Sequence, residues 1–164
     1  MSDVQVIKGY VPGVIGRVTE MHATYYQREW GFGLFFEAKV ATELASFLEA
    51  YDEQRDAIWV ACLGGRIEGS IAIDGARAAT DGAHLRWFML SDGLRGQGVG
   101  RQLVAAAIGF CRTRSYPRIY LWTFAGLDAA RHIYEQNGFT LAEEQRGARW
   151  GREVNEQRFV LNLK

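Results

Sequence analysis

Between positions 90 and 103 the chain reads LSDGLRGQGVGRQL, with glycines at 96, 98 and 100 and arginines at 95 and 101. These residue types can seat a phosphate. Glycine lets backbone approach a ligand, amide N–H groups at a helix start point outward, and arginines add charge-assisted bonds to phosphate oxygens. Spacing removes two familiar devices. A Walker loop ends in glycine, lysine and a hydroxyl residue, whereas Gly100 is followed by Arg101 and Gln102. A dinucleotide fingerprint needs a glycine three residues after the second one, and Arg101 stands there. What remains is Arg95-x-x-Gly98-x-Gly100. It is either a phosphate seat or a plain strand-to-helix connection with solvated arginines.

The flanking elements decide whether such a loop is held in place. Residues 85–90 (LRWFML) read as a buried central strand, and residues 99–114 as a helix with Val99, Leu103, Ala107 and Phe110 on one face. Upstream, residues 16–31 and 36–54 carry helical apolar spacing, separated by the aromatic, glycine-punctuated WGFGLFF. Residues 57–63 and 67–74 read as a hairpin. Downstream come a strand at 118–124, a short helix at 127–137 closed by Gly138, and two last strands, FTLAEEQ and QRFVLNL. The first nine residues are open between an edge strand and a loose arm. The order is α, α, β, β, β, α, β, α, β, β, an α/β domain around a mixed sheet.

Bulk composition narrows the class. A chain of 164 residues with 48% hydrophobic residues fits one domain with a real core. Lys plus Arg and Asp plus Glu each total 19, and this balance argues against a dedicated nucleic-acid binder. Cys62 and Cys111 lie in apolar segments and read as buried free thiols. No signal-peptide pattern and no bilayer-spanning apolar run occur, so a cytoplasmic protein is expected.

A second segment, AARHIYEQNGF at 129–139, lies one helix and one strand beyond the glycine loop. Together the two segments resemble the GNAT superfamily of acetyl-CoA-dependent acyltransferases, which pairs a basic-x-x-Gly-x-Gly/Ala loop with an alanine, Leu/Ile-Tyr, Gly-Phe pattern. The likeness runs from about residue 57 to the end. LRWFML, YLWTFAGLDAARHIYE and EQRFVLNL also resemble the GNAT domain found after MarR-type regulators, although the residues before 16 are too few for a winged helix. The resemblance implies a GNAT-like fold over residues 1–164: a mixed central sheet with helices on both faces and splayed central strands that bind the cofactor.

The resemblance further implies acetyl-CoA as cosubstrate and an N-acetyltransferase acting on a primary amine of a small molecule or protein. Its pyrophosphate would sit on Arg95, Gly96, Gln97, Gly98, Val99, Gly100 and Arg101. Its pantetheine arm would pair with the backbone of Phe88, Met89 and Leu90. Tyr134 matches the tyrosine that protonates the departing thiolate, a task suited to a phenol, which stays protonated at neutral pH. Leu127 stands where many members have asparagine. The strand glutamate that often serves as base is missing. His84, just before the central strand, is the first candidate base. His22 on the first helix is the second, and a relayed water is the third option. His132 projects about 160° away from Tyr134 on a helix. The acceptor wall would draw on Tyr25, Tyr26, Trp30, Phe32, Phe35, Phe36 and Glu37, with Arg86, Trp87 and Trp122 from the strands. An aromatic wall with one carboxylate suits a cationic or planar acceptor, while the same aromatics could equally cap the sheet. Arg112, Arg114 and Arg118 are expected to solvate a helix end or meet the cofactor's adenosine phosphate. No metal is expected, and a homodimer is the expected assembly. The alternative to an enzyme is a catalytically silent acyl-CoA-binding or regulatory domain with the same fold.

Overall fold

The computed structural model describes residues 3–164. In chain order the elements are β1 (Val4–Lys8), α1 (Val14–Trp30), α2 (Leu34–Glu49), β2 (Ala57–Leu63), β3 (Arg66–Asp74), β4 (Ala83–Leu90), α3 (Val99–Thr113), β5 (Arg118–Phe124), α4 (Asp128–Gln136), β6 (Thr140–Gly147) and β7 (Val154–Asn162). A single 3₁₀ turn, Asp92–Leu94, joins β4 to the glycine loop. The seven strands form one sheet in the order β1-β2-β3-β4-β5-β7-β6. Every neighbouring pair is antiparallel except β4 and β5. The expected mixed sheet with helices on both faces is therefore present, and the N-terminal segment resolves as the edge strand β1. WGFGLFF is not a connection of its own. Only Gly31–Gly33 lie between the helices; Trp30 ends α1, and Leu34, Phe35 and Phe36 open α2.

Alternation along the strands sorts the core into two layers. Trp59, Ile71, Ile73, Leu85, Ile119, Leu121 and Phe159 pack with Leu103, Val104, Ala107 and Cys111 of α3 on one face. Ile58, Val60 and Ala72 pack with Val14, Val18, Leu44 and Phe47 of α1 and α2 on the other. A third cluster, Phe32, Phe36, Val40 and Phe124, closes the end where α1 turns into α2. Both cysteines are free. Among the described residues no helix is long and apolar enough to cross a membrane.

Two irregularities in β4 shape everything near the middle of the sheet. Arg86 pairs with Ala72 and Met89 with Ser70, so Trp87 and Phe88 together oppose the one residue Ile71. This is a β-bulge, and Trp87 takes φ of 50° to accommodate the extra residue. The bulge re-phases the strand: Leu85 before it and Phe88 and Leu90 after it all pack on the α3 side, whereas Met89 joins the α1/α2 side. Three contacts hold Trp87 in this unfavourable backbone region. Its carbonyl accepts a 2.7 Å bond from Ser70 Oγ, its ring packs 5.5 Å from that of Phe47, and Arg86 lies 4.2 Å over it. The second irregularity is that β4 pairs with β5 only at Ala83–Ile119 and His84–Tyr120. Beyond His84 the strands part, β5 staying with β7 and β4 with β3.

Ser70 is fully buried, and its hydroxyl pairs with the carbonyl at the bulge. Ser70→Ala strands that carbonyl and is expected to cost about 1–3 kcal/mol in urea unfolding. An unchanged stability would mean that the bulge is held by packing alone.

Candidate functional site

The parting of β4 from β5 opens a cleft on each face of the sheet. On the α3/α4 side lies a space of about 650 Å³, lined by Phe88, Met89, Leu90, Arg95, Gly96, Gly98, Gly100 and Arg101, by Gly126–Ile133 residues of α4 and its approach, and by Tyr25 and Tyr26. On the α1/α2 side lies a smaller space of about 200 Å³. Its walls come from α1, α2, β4, β5, α4 and the β6–β7 connection. Tyr26, Phe88, Leu127 and Ala130 line both, so the clefts meet through the gap.

The glycine loop forms one end of the larger cleft. Gly96 and Gly98 have φ of 75° and 79°, a left-handed backbone that glycine takes without a Cβ clash. Gly100 is needed for a different reason. A Cβ there would lie 3.1 Å from Leu90 Cδ1, 3.2 Å from Ile133 Cδ1 and 3.3 Å from Phe88 Cζ, so glycine lets the first turn of α3 settle against β4 and α4. Among the described residues, the amides from Gly96 to Arg101 have no acceptor, and bonding resumes with Gln102 N–H to the Gly98 carbonyl at 3.0 Å. No side chain caps α3, and no acidic residue lies in its first turn. Arg95 and Arg101 border the same cleft. Unpaired amides, a helix N-terminus and two guanidiniums form a seat for a polyanion. Of the loop residues named from the sequence, Gln97 and Val99 contribute backbone only. The Gln97 side chain turns back to the Gly93 carbonyl at 2.8 Å, and Val99 is buried in the core.

Tyr134 sits between Phe88, Phe139 and Phe159, with ring centroids 5.9, 5.8 and 6.3 Å away. Its side chain borders the smaller cleft, and its hydroxyl makes no hydrogen bond among the described residues. Burial pushes the phenol well above its ordinary range, with the neighbouring Tyr26 adding to the shift. It is therefore a neutral donor across physiological pH. Leu127, at the N-terminus of α4, presents an apolar side chain to both clefts and contributes its carbonyl to Arg131 N–H at 3.1 Å.

The two candidate bases both border the smaller cleft but differ in setting. His84 lies within β4 at the closed end of the gap, stacked 4.5 Å from Tyr120. Burial, helped by the charges of Arg86 and Arg149, lowers its pKa to about 3. His22 lies on α1 with Nδ1 2.8 Å from the Val18 carbonyl. A carbonyl only accepts, so that nitrogen carries the hydrogen and Nε2 keeps its lone pair. Burial lowers the His22 pKa to about 4. His132 is exposed, away from Tyr134.

The acceptor wall read from the sequence is redistributed. Phe36, Arg86, Trp87 and Trp122 line the smaller cleft, joined by Tyr26. Tyr25 instead faces the larger cleft, where Arg95 lies 5.2 Å over its ring. Phe32 is 2% exposed and packs in the third core cluster, so it borders no cleft. Trp30 packs edge-on to Phe124 at 4.9 Å, behind the cleft lining. Phe35 is exposed. Glu37 is exposed and outside the cleft; the carboxylate that lines it is Glu43, paired with Lys39 at 2.6 Å and with Arg86. Both glutamates lie on α2, and helix phase alone decides which one faces the sheet. Arg149 and Trp150 of the β6–β7 connection also line the cleft, and no local sequence pattern marks them. Arg112, Arg114 and Arg118 lie at the C-terminal end of α3 and beyond, about 20 Å of helix from the glycine loop. Arg114 bonds the Glu53 carbonyl and Arg118 the Thr80 carbonyl, so these two tie loops at that end of the helix. Among the described residues, no group of His, Cys, Asp or Glu is arranged to hold a metal ion.

A family model described as acetyltransferase (GNAT) family matches residues 16–139. Among solved structures, yncA of Salmonella typhimurium, assigned as an acetyltransferase and solved with its cofactor acetyl-CoA, superposes with a TM-score of 0.77 at 16% identity, covering 99% of this chain and 95% of that one. A GNAT-family protein of Desulfovibrio desulfuricans gives 0.74 at 21% identity, covering 99% and 100%. A Bacillus anthracis protein assigned as a streptothricin acetyltransferase, in complex with acetyl coenzyme A, gives 0.60 at 22% identity over 72% and 69%. At these identities the likeness is one of fold. No curated protein matches the chain significantly.

Buried His22 and half-buried His84 give the site a pH signature. In the unfolded chain an imidazole titrates near 6.5, so between that value and about 4 the unfolded state binds a proton that folded His22 refuses. Stability is therefore complete above pH 6.5 and falls as pH drops toward 4. Between pH 7 and 5 the His22 share is about 2 kcal/mol, and His84 acts in the same direction. Urea midpoints measured at both pH values should fall accordingly, and His22→Gln should remove its share. A pH-independent midpoint would contradict the neutral imidazoles.

Proposed function

Because the chain belongs to the GNAT acetyltransferase family, we propose that residues 1–164 form one domain that moves an acetyl group from acetyl-CoA to a primary amine, with Tyr134 as general acid. The observation that carries this reading is the gap beyond His84, with unpaired loop amides bordering the larger cleft and the Tyr134 side chain lining the smaller one that joins it. The donor set fits the cosubstrate. Arg95, Arg101 and the amides from Gly96 to Arg101 would hold its pyrophosphate, and the free edge of β4 at Phe88–Leu90 would pair with its amide-bearing arm. When bound, acetyl-CoA supplies the acetyl group as an activated thioester.

The chain's own residues then do three things. The β4 backbone, unpaired where it faces the gap, offers N–H donors to an oxygen that gains charge. Tyr134 holds a proton at Oη, kept there by burial, for a departing thiolate. His22, neutral and with its Nε2 lone pair unprotonated, is the better placed of the two imidazoles to accept a hydrogen from the amine, because His84 is stacked on Tyr120 where the strands are still paired.

Acetyl-CoA is expected to bind with calorimetrically measurable affinity and to release thiol when a suitable amine is added. Tyr134→Phe should lower kcat by about 10²-fold or more while leaving acetyl-CoA affinity unchanged. Retained turnover in that variant would remove Tyr134 from the chemistry. An absence of acetyl-CoA binding at millimolar concentration would overturn the reading altogether.

A further inference from the structure

The smaller cleft contains a guanidinium that is rigidly placed yet unpaired along its outer edge. Arg149 donates from Nε to Glu156 Oε1 at 3.1 Å, and its backbone N–H donates to Glu156 Oε2 at 3.0 Å. Glu156 is 2% exposed and also accepts from Gln145 Nε2 at 3.2 Å, so it is itself immobilised. The Arg149 guanidinium lies 3.7 Å over the Trp122 ring and 5.6 Å from that of Trp150. Its Nη groups donate to no acceptor among the described residues.

The other charged groups of the cleft are committed. Lys39 and Arg86 share Glu43, and Arg86 also lies 3.8 Å from Asp74. A cationic acceptor would look for a free carboxylate or an uncovered aromatic face. It finds Glu43 doubly paired, the Trp122 face covered by Arg149 and the Trp87 face covered by Arg86. The cations lining the cleft are Lys39, Arg86 and Arg149, and each has a carboxylate partner: Glu43 for Lys39, Glu43 and Asp74 for Arg86, and Glu156 for Arg149. What an anion would meet here is the free Nη donors of Arg149 rather than an excess of charge. The planar fork of arginine matches a carboxylate, and tethering Nε to Glu156 leaves the Nη edge for it.

We propose that the acceptor is a small amine that also carries a carboxylate, and that Arg149 receives this carboxylate, with Trp122 and Trp150 flanking it. This deepens, and rests on, the acetyltransferase reading of the same site.

Two measurements test it. The first needs no turnover: tryptophan fluorescence, reporting from Trp122 and Trp150, is titrated with 3-phenylpropanoate and with its neutral amide. The carboxylate should bind at least about 10-fold more tightly, as expected for hydrogen bonds to a charged group. Arg149→Gln should abolish that preference and Arg149→Lys should keep part of it, with circular dichroism verifying the fold of each. Equal binding of the two probes by the wild-type protein, or an undiminished preference in folded Arg149→Gln, overturns the proposal. The second compares kcat/KM for L-phenylalanine and 2-phenylethylamine, with the carboxylate-bearing amine expected to lead by at least about 10-fold. An equal or reversed ratio overturns the proposal while leaving the acetyltransferase reading intact. Failure to bind acetyl-CoA overturns that reading instead, and the fluorescence titration still decides the role of Arg149.

Discussion

The separation of β4 from β5 after a two-residue ladder is the constraint from which the site follows. A sheet normally pairs every internal strand on both sides, because an unpaired amide must find another partner. Here the partner strand turns away, and β4 keeps its ladder with β3 only. The result is a slot through the sheet, bordered by backbone donors and flanked on each face by helices. The bulge at Trp87 belongs to the same arrangement. It adds a residue a few positions beyond the last pair with β5, so Phe88 and Leu90 turn toward α3 while Trp87 and Arg86 stay on the α1/α2 side.

The slot divides the chemistry by electrostatics. One mouth gathers backbone N–H groups, a helix N-terminus and two arginines, all suited to phosphate. The other gathers aromatic rings and cations that each have a carboxylate partner. Tyr134 and His22 both line the smaller cleft, and desolvation shifts them in opposite directions, the phenol up and the imidazole down. A proton donor and a proton acceptor thus line the same cleft. The wall also supplies its own order. Arg149 is held by Glu156 and Trp122, and Arg86 by Glu43, so the cleft offers preset charges rather than mobile side chains.

Features that depend on short separations along the chain were legible without coordinates. The basic-x-x-Gly-x-Gly spacing, the strand before it, the amphipathic helix after it and the second segment around Tyr134 are all local, and the structure has the expected elements around them. The acceptor side was not legible in this way. Glu37 and Glu43 lie on one helix, and only the rotation of α2 against the sheet chooses Glu43. Phe32 and Phe36 share an aromatic run, yet Phe32 fills the core while Phe36 borders the cleft. Tyr25 and Tyr26 are neighbours, yet Tyr25 faces only the larger cleft. The bulge at Trp87 was invisible in LRWFML, because a continuous apolar run carries no alternation for an extra residue to interrupt.

By itself the sequence determined the mixed α/β fold, since hydrophobic periodicity acts over a few residues at a time, and two linked motifs carried the resemblance to the family. Only the tertiary structure decided where the strands part, that the pKa of both candidate histidines is lowered, and which arginine lines the smaller cleft with unpaired Nη groups. Arg149, Glu156 and Trp122 come from separate elements and meet only when β5, β7 and the β6–β7 connection assemble. Their placement therefore depends on packing between distant segments, which no local pattern encodes.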